Sequence, residues 1–81
     1  MTIGVMGAGA WGTALAIAAS RAGHEALLWG RDAGALAEMR RTRINRHRLP
    51  GIVLPQGVVP SADPGDLGSC DPVLLATPAQ T

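Results

Sequence analysis

The stretch Thr2–Gly12 constrains this chain more than any other. Thr2-Ile3-Gly4-Val5-Met6 is short and almost wholly apolar, and a glycine follows it. A strand buried on both faces of a parallel sheet reads this way. Gly7-Ala8-Gly9-Ala10-Trp11-Gly12 comes next, and then an alanine-rich run without Gly or Pro until Gly23. Strand, G-x-G-x-x-G turn and helix in this order form the context in which the motif means dinucleotide binding. Gly7 allows a tight turn out of the strand, Gly9 leaves a pyrophosphate free to approach, and Gly12 lets the helix sit close to the strand. Free N–H groups at the helix start and the positive end of its dipole then hold the phosphates.

The rest of the chain continues the pattern. From Ala10 to Ala22 the positions Trp11, Leu15, Ala18, Ala19 and Ala22 fall at helical spacing, widened by Ala14 and Ile17. Thr13, Ser20 and Arg21 are left as the main polar positions. Gly23 supplies the stop, and His24 reads as a surface turn residue. Glu25–Gly30 reads as a second strand and Ala33–Asn45 as a second helix, with Leu36, Ala37, Met39 and Ile44 turned inward. Val58-Val59 can form a brief third strand. The Pro- and Gly-bearing stretch from Ser61 to Asp71 allows one helical turn near Asp66-Leu67, and Pro72–Thr77 reads as a fourth strand. The expected fold is α/β, a Rossmann-type parallel sheet in the order 3-2-1-4, incomplete at its C-terminus. That order puts Thr77, Pro78 and Ala79 at a carboxyl edge facing the cofactor crevice.

In dinucleotide folds the end of the second strand meets the adenosine ribose. Arg31 lies 19 residues after Gly12, and Asp32 follows it. An arginine there accommodates a 2′-phosphate, so the cofactor is expected to be NAD(P)H, with NADPH accepted through Arg31. Asp32 keeps NADH open, although its place before Ala33 also suits a helix N-cap. Arg40, Arg41, Arg43, Arg46, His47 and Arg48 make the next segment basic. A nucleic-acid patch is one reading. A solvated helix end is the other, favoured by a formal net charge of only +1 and by the preference of cations for helix C-termini. One of these arginines helping Arg31 around a 2′-phosphate is a third.

Composition narrows the class. All seven basic residues are arginine, and Cys70 is the lone cysteine, which fits a reducing compartment and reads as a packed thiol. There is no charged leader and no apolar stretch near 18 residues, so a cytoplasmic protein without membrane insertion or nucleic-acid partner is expected. Residues 1–81 fall short of the roughly 100 that a complete dinucleotide-binding half needs. They are read as the front of a larger protein. No metal-ligand spacing and no catalytic constellation is found.

Four blocks carry a family resemblance: I-G-V-M-G-A-G-A-W-G-T-A-L-A, G-H-E-A-L-L-W-G-R-D, N-R-H-R-L-P-G-I-V-L-P and V-L-L-A-T-P-A-Q. In this order and spacing the chain resembles bacterial NAD(P)-dependent glycerol-3-phosphate dehydrogenase. The resemblance implies reduction of dihydroxyacetone phosphate to sn-glycerol 3-phosphate for glycerophospholipid synthesis. It implies cofactor contacts at Ala10, Trp11 and Arg31, with Pro78 beside the dinucleotide. Arg48 stands where the family usually has an aromatic residue, and an arginine there can still reach a phosphate. In the family, downstream lysines polarise the substrate, and this chain has none. It is therefore expected to carry part of a cofactor site and no catalytic residue, in a parent expected to be a homodimer. Two rivals stand beside this: a dinucleotide-sensing module without chemistry, and a fragment inert by itself.

Overall fold

The computed structural model describes residues 2–45 and 51–76. Strand β1 (Thr2–Met6) runs through the glycine turn into helix α1 (Ala10–Arg21). Strand β2 (Glu25–Trp29), helix α2 (Ala33–Thr42), strand β3 (Val58–Ser61), a 3-10 helix (Pro64–Ser69) and strand β4 (Val73–Leu75) follow. The four strands are parallel and ordered β3-β2-β1-β4, as the sequence predicts. Ile3 stands opposite Ala26, Val5 opposite Leu28, and Leu28 opposite Pro60. Both central strands are thereby flanked on each side, which explains their unbroken apolar character.

One core forms where the two helices meet the sheet. Val5, Ala26, Leu28 and Val58 pack with Ala16 and Ile17 of α1 and Leu36 and Met39 of α2. Side chains alternate along a strand, so Gly4 faces the opposite side from Val5. There the 3-10 helix closes in. A Cβ built on Gly4 would lie 2.9 Å from the Cβ of Cys70 and 3.0 Å from Cδ2 of Leu67. Gly4 therefore makes the room that these two residues fill. Burial first, and the nearby Asp66 carboxylate second, push the Cys70 thiol up, so it stays protonated beyond the ordinary thiol range. The 3-10 segment is longer than the single turn expected. Asp63 caps it by accepting from the Gly65 N–H at 2.9 Å, and Pro64 begins it with φ already fixed.

Helix α1 buries a different face from the one its alanines suggest. Gly12, Thr13, Ala16 and Ile17 are buried, while Trp11, Ala14, Ala18 and Ala22 are exposed. An almost uniformly small and apolar helix offers little contrast between faces. The close approach at Gly12 sets its rotation instead, and Thr13 is carried inward with it. In α2, Ala35 rather than Ala37 is the partly buried alanine. The helix ends at Thr42, not at Asn45, because Arg43 adopts the left-handed conformation (φ 63°). Its guanidinium accounts for that position. Nη2 of Arg43 donates to the carbonyls of Pro55 and Val58, each at 2.7 Å.

Arg40 acts in the same way, donating to the Pro60 carbonyl through Nε (3.2 Å) and Nη2 (2.8 Å). The carbonyls of Gly57 and Ser61 point to β2, accepting from Ala26 and Gly30. Backbone direction alternates along a strand, so the Val58 and Pro60 carbonyls face the open edge of the sheet. Arg40 of α2 and Arg43 at its C-cap thus cover an edge that would otherwise invite another strand. The arrangement also explains how β3 extends two residues further than expected. Pro60 has no N–H to offer, and on the outer side of an edge strand none is needed. Arg41 pairs loosely with Glu38 at 3.9 Å and is mostly exposed. Two of the basic residues are therefore structural, and neither the nucleic-acid reading nor the solvated-end reading describes them. Arg46, His47 and Arg48 lie outside the described residues.

No helix among the described residues is long and apolar enough to cross a membrane. The edge cap yields a test. Arg43→Ala removes two charge-assisted hydrogen bonds without relieving the left-handed backbone, and should cost about 2 kcal/mol of stability. Urea unfolding reads it, and an unchanged midpoint would show that the guanidinium prefers water.

Candidate cofactor site

The carboxyl ends of β1, β2 and β4 meet at one cleft of about 720 Å³. This is where the strand order reverses, since the chain leaves β1 toward β2 on one side and reaches β4 on the other. The volume falls within the usual range for small-molecule and cofactor sites. Gly7 to Trp11 form one wall, and Trp29, Arg31 and Asp32 after β2 form a second. Ala35, Leu36 and Met39 of α2, with Asn45 and Ala76, complete the lining.

The three glycines of the turn do different physical work. Gly7 has φ +121°, a value that side chains rarely adopt, and its N–H donates to the Trp29 carbonyl at 2.8 Å. A Cβ on Gly7 would also come within 2.6 Å of the Ala76 carbonyl oxygen at the end of β4. A Cβ on Gly12 would collide with the Gly7 carbonyl. The first turn of α1 is therefore pressed directly onto the end of β1. Gly9 differs from both. Its φ of −77° is ordinary, and nothing lies within 4 Å of where a Cβ would stand. No packing demand explains a glycine at that position.

Gly9 is also the N-cap of α1, where no side-chain hydrogen bond closes the helix start. The first turn carries no acidic residue. Its N–H groups have no intrahelical acceptor, and they sit at the positive end of the dipole. Ala10 is exposed beside the cleft, and Trp11, 63% exposed, stands on its lip.

Across the cleft, Arg31 is exposed and makes no hydrogen bond or ion pair among the described residues. Asp32 caps α2, its Oδ1 accepting from the Ala35 N–H at 3.1 Å. The cap alternative read from the sequence is thus realised, and one carboxylate oxygen is engaged by the backbone. Gly7, Gly9, Ala10, Trp11 and Arg31 all line the cleft, whereas Gly12 lies beneath the turn. Arg48 and Pro78 lie outside the described residues.

Three lining or supporting residues escape sequence reasoning. Trp29 reads only as strand, yet its indole Nε1 is buried beside the cleft without a partner among the described residues. Thr13 reads as an outward polar residue, and is fully buried. Asn45 reads as the last residue of a helix, and instead reaches back to the glycine turn. Its position at the head of the N-R-H-R-L-P-G block was the available signal. Among the described residues no group of three or more His, Cys, Asp or Glu side chains could hold a metal ion.

A parallel sheet ordered 3-2-1-4, with a glycine turn opening its first helix at the switch point, defines a Rossmann-type α/β domain. Residues 2–81 match the family described as NAD-dependent glycerol-3-phosphate dehydrogenase N-terminus. This chain belongs to that family. It is 55% identical over 78 residues to glycerol-3-phosphate dehydrogenase [NAD(P)+] of Azorhizobium caulinodans, covering 96% of this chain and 24% of the relative. The enzyme of the same name from Alkalilimnicola ehrlichii is 52% identical over 79 residues, with 96% and 24% covered. The crystal structure of glycerol-3-phosphate dehydrogenase from Coxiella burnetii superposes with a TM-score of 0.86 at 31% identity, over 91% of this chain and 23% of that one. The chain spans about a quarter of the length of these relatives.

The contrast between the glycines is testable. Gly9→Val should cost less than about 1 kcal/mol of stability, the loss of a favourable N-cap residue, while abolishing dinucleotide binding. Gly12→Val should cost about 3 kcal/mol or more through overpacking. Thermal melts beside cofactor titrations of the full-length protein check both. Retained affinity in Gly9→Val would remove the turn from the site.

Proposed function

We propose that this chain supplies the cofactor-binding front of an enzyme that reduces dihydroxyacetone phosphate to sn-glycerol 3-phosphate with NADH or NADPH. In this reading residues 1–81 begin a dinucleotide-binding domain, and further strands and a helical substrate domain complete the protein. The product is the backbone of glycerophospholipids, and the protein acts in the cytoplasm.

The open side of Gly9 is the observation that carries the reading. A residue with an ordinary backbone and no packing neighbour has no steric reason to lack a side chain. It does have a binding reason, because a side chain there would fill the space above the uncapped helix start. The residues fit a dinucleotide on that ground. The N–H groups from Gly9 to Gly12 and the α1 dipole would hold the diphosphate. Trp11 would cover it from the lip of the cleft. Arg31, without a partner among the described residues, would meet the ribose end and accommodate a 2′-phosphate. When bound, the reduced nicotinamide supplies the hydride. The apolar lining from Ala35, Leu36 and Met39 would face the adenosine end of the bound cofactor. Positive charge for the substrate phosphate and the developing alkoxide would come from lysines in the remainder of the protein, since this chain contains none.

Steady-state kinetics of the full-length protein test the proposal. Dihydroxyacetone phosphate should be consumed with oxidation of reduced nicotinamide, and failure to bind either cofactor would overturn it. Arg31→Ala should weaken NADPH about tenfold and NADH much less, as expected for loss of one charge-assisted contact. Equal losses would show that the 2′-phosphate is read elsewhere.

A further inference from the structure

Asn45 is buried, 5% exposed, at the back of the cleft and 32 residues from its partner Thr13 in sequence. Its Nδ2 donates to the Ala8 carbonyl at 3.0 Å and to Thr13 Oγ1 at 2.8 Å. The orientation of this amide is dictated by its partners. A backbone carbonyl only accepts, so the nitrogen end must face Ala8, and the hydroxyl oxygen of Thr13 receives the second hydrogen. Both donors of the amide are therefore spent on the glycine turn and the first turn of α1.

The preceding chain delivers Asn45 to this place. Arg43, in the left-handed conformation, is anchored by its guanidinium to Pro55 and Val58, and its own carbonyl accepts from the Leu54 N–H at 2.6 Å. Ile44 then bridges to Val53. The edge cap of β3 and the reach of Asn45 are thus parts of one connection. It leads from the edge of the sheet to the cofactor turn.

A trans peptide is planar, so the N–H of Gly9 points opposite to the carbonyl of Ala8. This peptide joins Ala8 to Gly9, and rotating it turns ψ of Ala8 against φ of Gly9, where the glycine offers little resistance. Rotated by half a turn, it would present a carbonyl oxygen where an anion needs a donor. We propose that Asn45 is a positioning residue that holds the Ala8–Gly9 peptide with its N–H available to the cofactor diphosphate. Asn45 itself need not touch the dinucleotide. The inference rests on the reading of the glycine turn as the diphosphate site.

The test separates this role from general support of the fold. In the full-length protein, binding of NADH, ADP and adenosine would be measured for the wild type, Asn45→Ala and Asn45→Ser. Asn45→Ser keeps a small polar residue that is too short to reach Ala8, and provides the comparison where Asn45→Ala does not fold. Loss of the bond should weaken ADP and NADH about tenfold, the scale of one buried hydrogen bond, and leave adenosine within about twofold. Equal weakening of adenosine and ADP would overturn the proposal in favour of a purely structural role. Unchanged ADP affinity would overturn it too. A wild type that binds neither NADH nor ADP would instead overturn the reading of the site on which the proposal rests.

Discussion

The contact between Gly12 and the carbonyl of Gly7 is the constraint on which the rest depends. It brings the first turn of α1 against the end of β1 more closely than any side chain would permit. Three consequences follow from that approach. The helix is rotated so that Thr13, Ala16 and Ile17 face the sheet. The chain must leave β1 with Gly7 in a positive-φ conformation. The uncapped helix start is held at the carboxyl edge, beside the switch in strand order.

The outer parts of the domain are fastened by polar contacts as well as by apolar ones. Arg40 and Arg43 draw α2 onto the outer edge of β3, and Asn45 joins the same segment to the glycine turn. A basic cluster that looks like a surface feature is in part the seam between helix and edge strand. Asp32 and Asp63 serve likewise as caps, each fixing a local backbone turn.

The strands and their order were legible because each is a short apolar run bounded by glycine, proline or charge. The glycine turn was legible because its spacing is tied to a known geometry. The rotation of α1 is not, since the exposed Ala14, Ala18 and Ala22 look as apolar as the residues that are buried. Only the steric demand at Gly12 decides between those faces, and it becomes visible once Gly7 is placed. Arg43 was also opaque. A left-handed arginine violates local preference and is sustained by carbonyls 12 and 15 residues away. Asn45 depends on a partner 37 residues distant, beyond the reach of any periodicity. Arg31 is found by spacing, and its lack of a partner among the described residues is what keeps a ligand role open to it.

The central claim is that the amides from Gly9 to Gly12 form the anion-binding end of the cleft. Titrating ADP into isotopically labelled full-length protein and following backbone amide resonances tests it directly. The largest shifts should fall on Gly9, Ala10, Trp11 and Gly12, with Cys70 and the 3-10 helix on the opposite face unmoved. Shifts centred away from the glycine turn, or none at saturating ADP, would contradict the account.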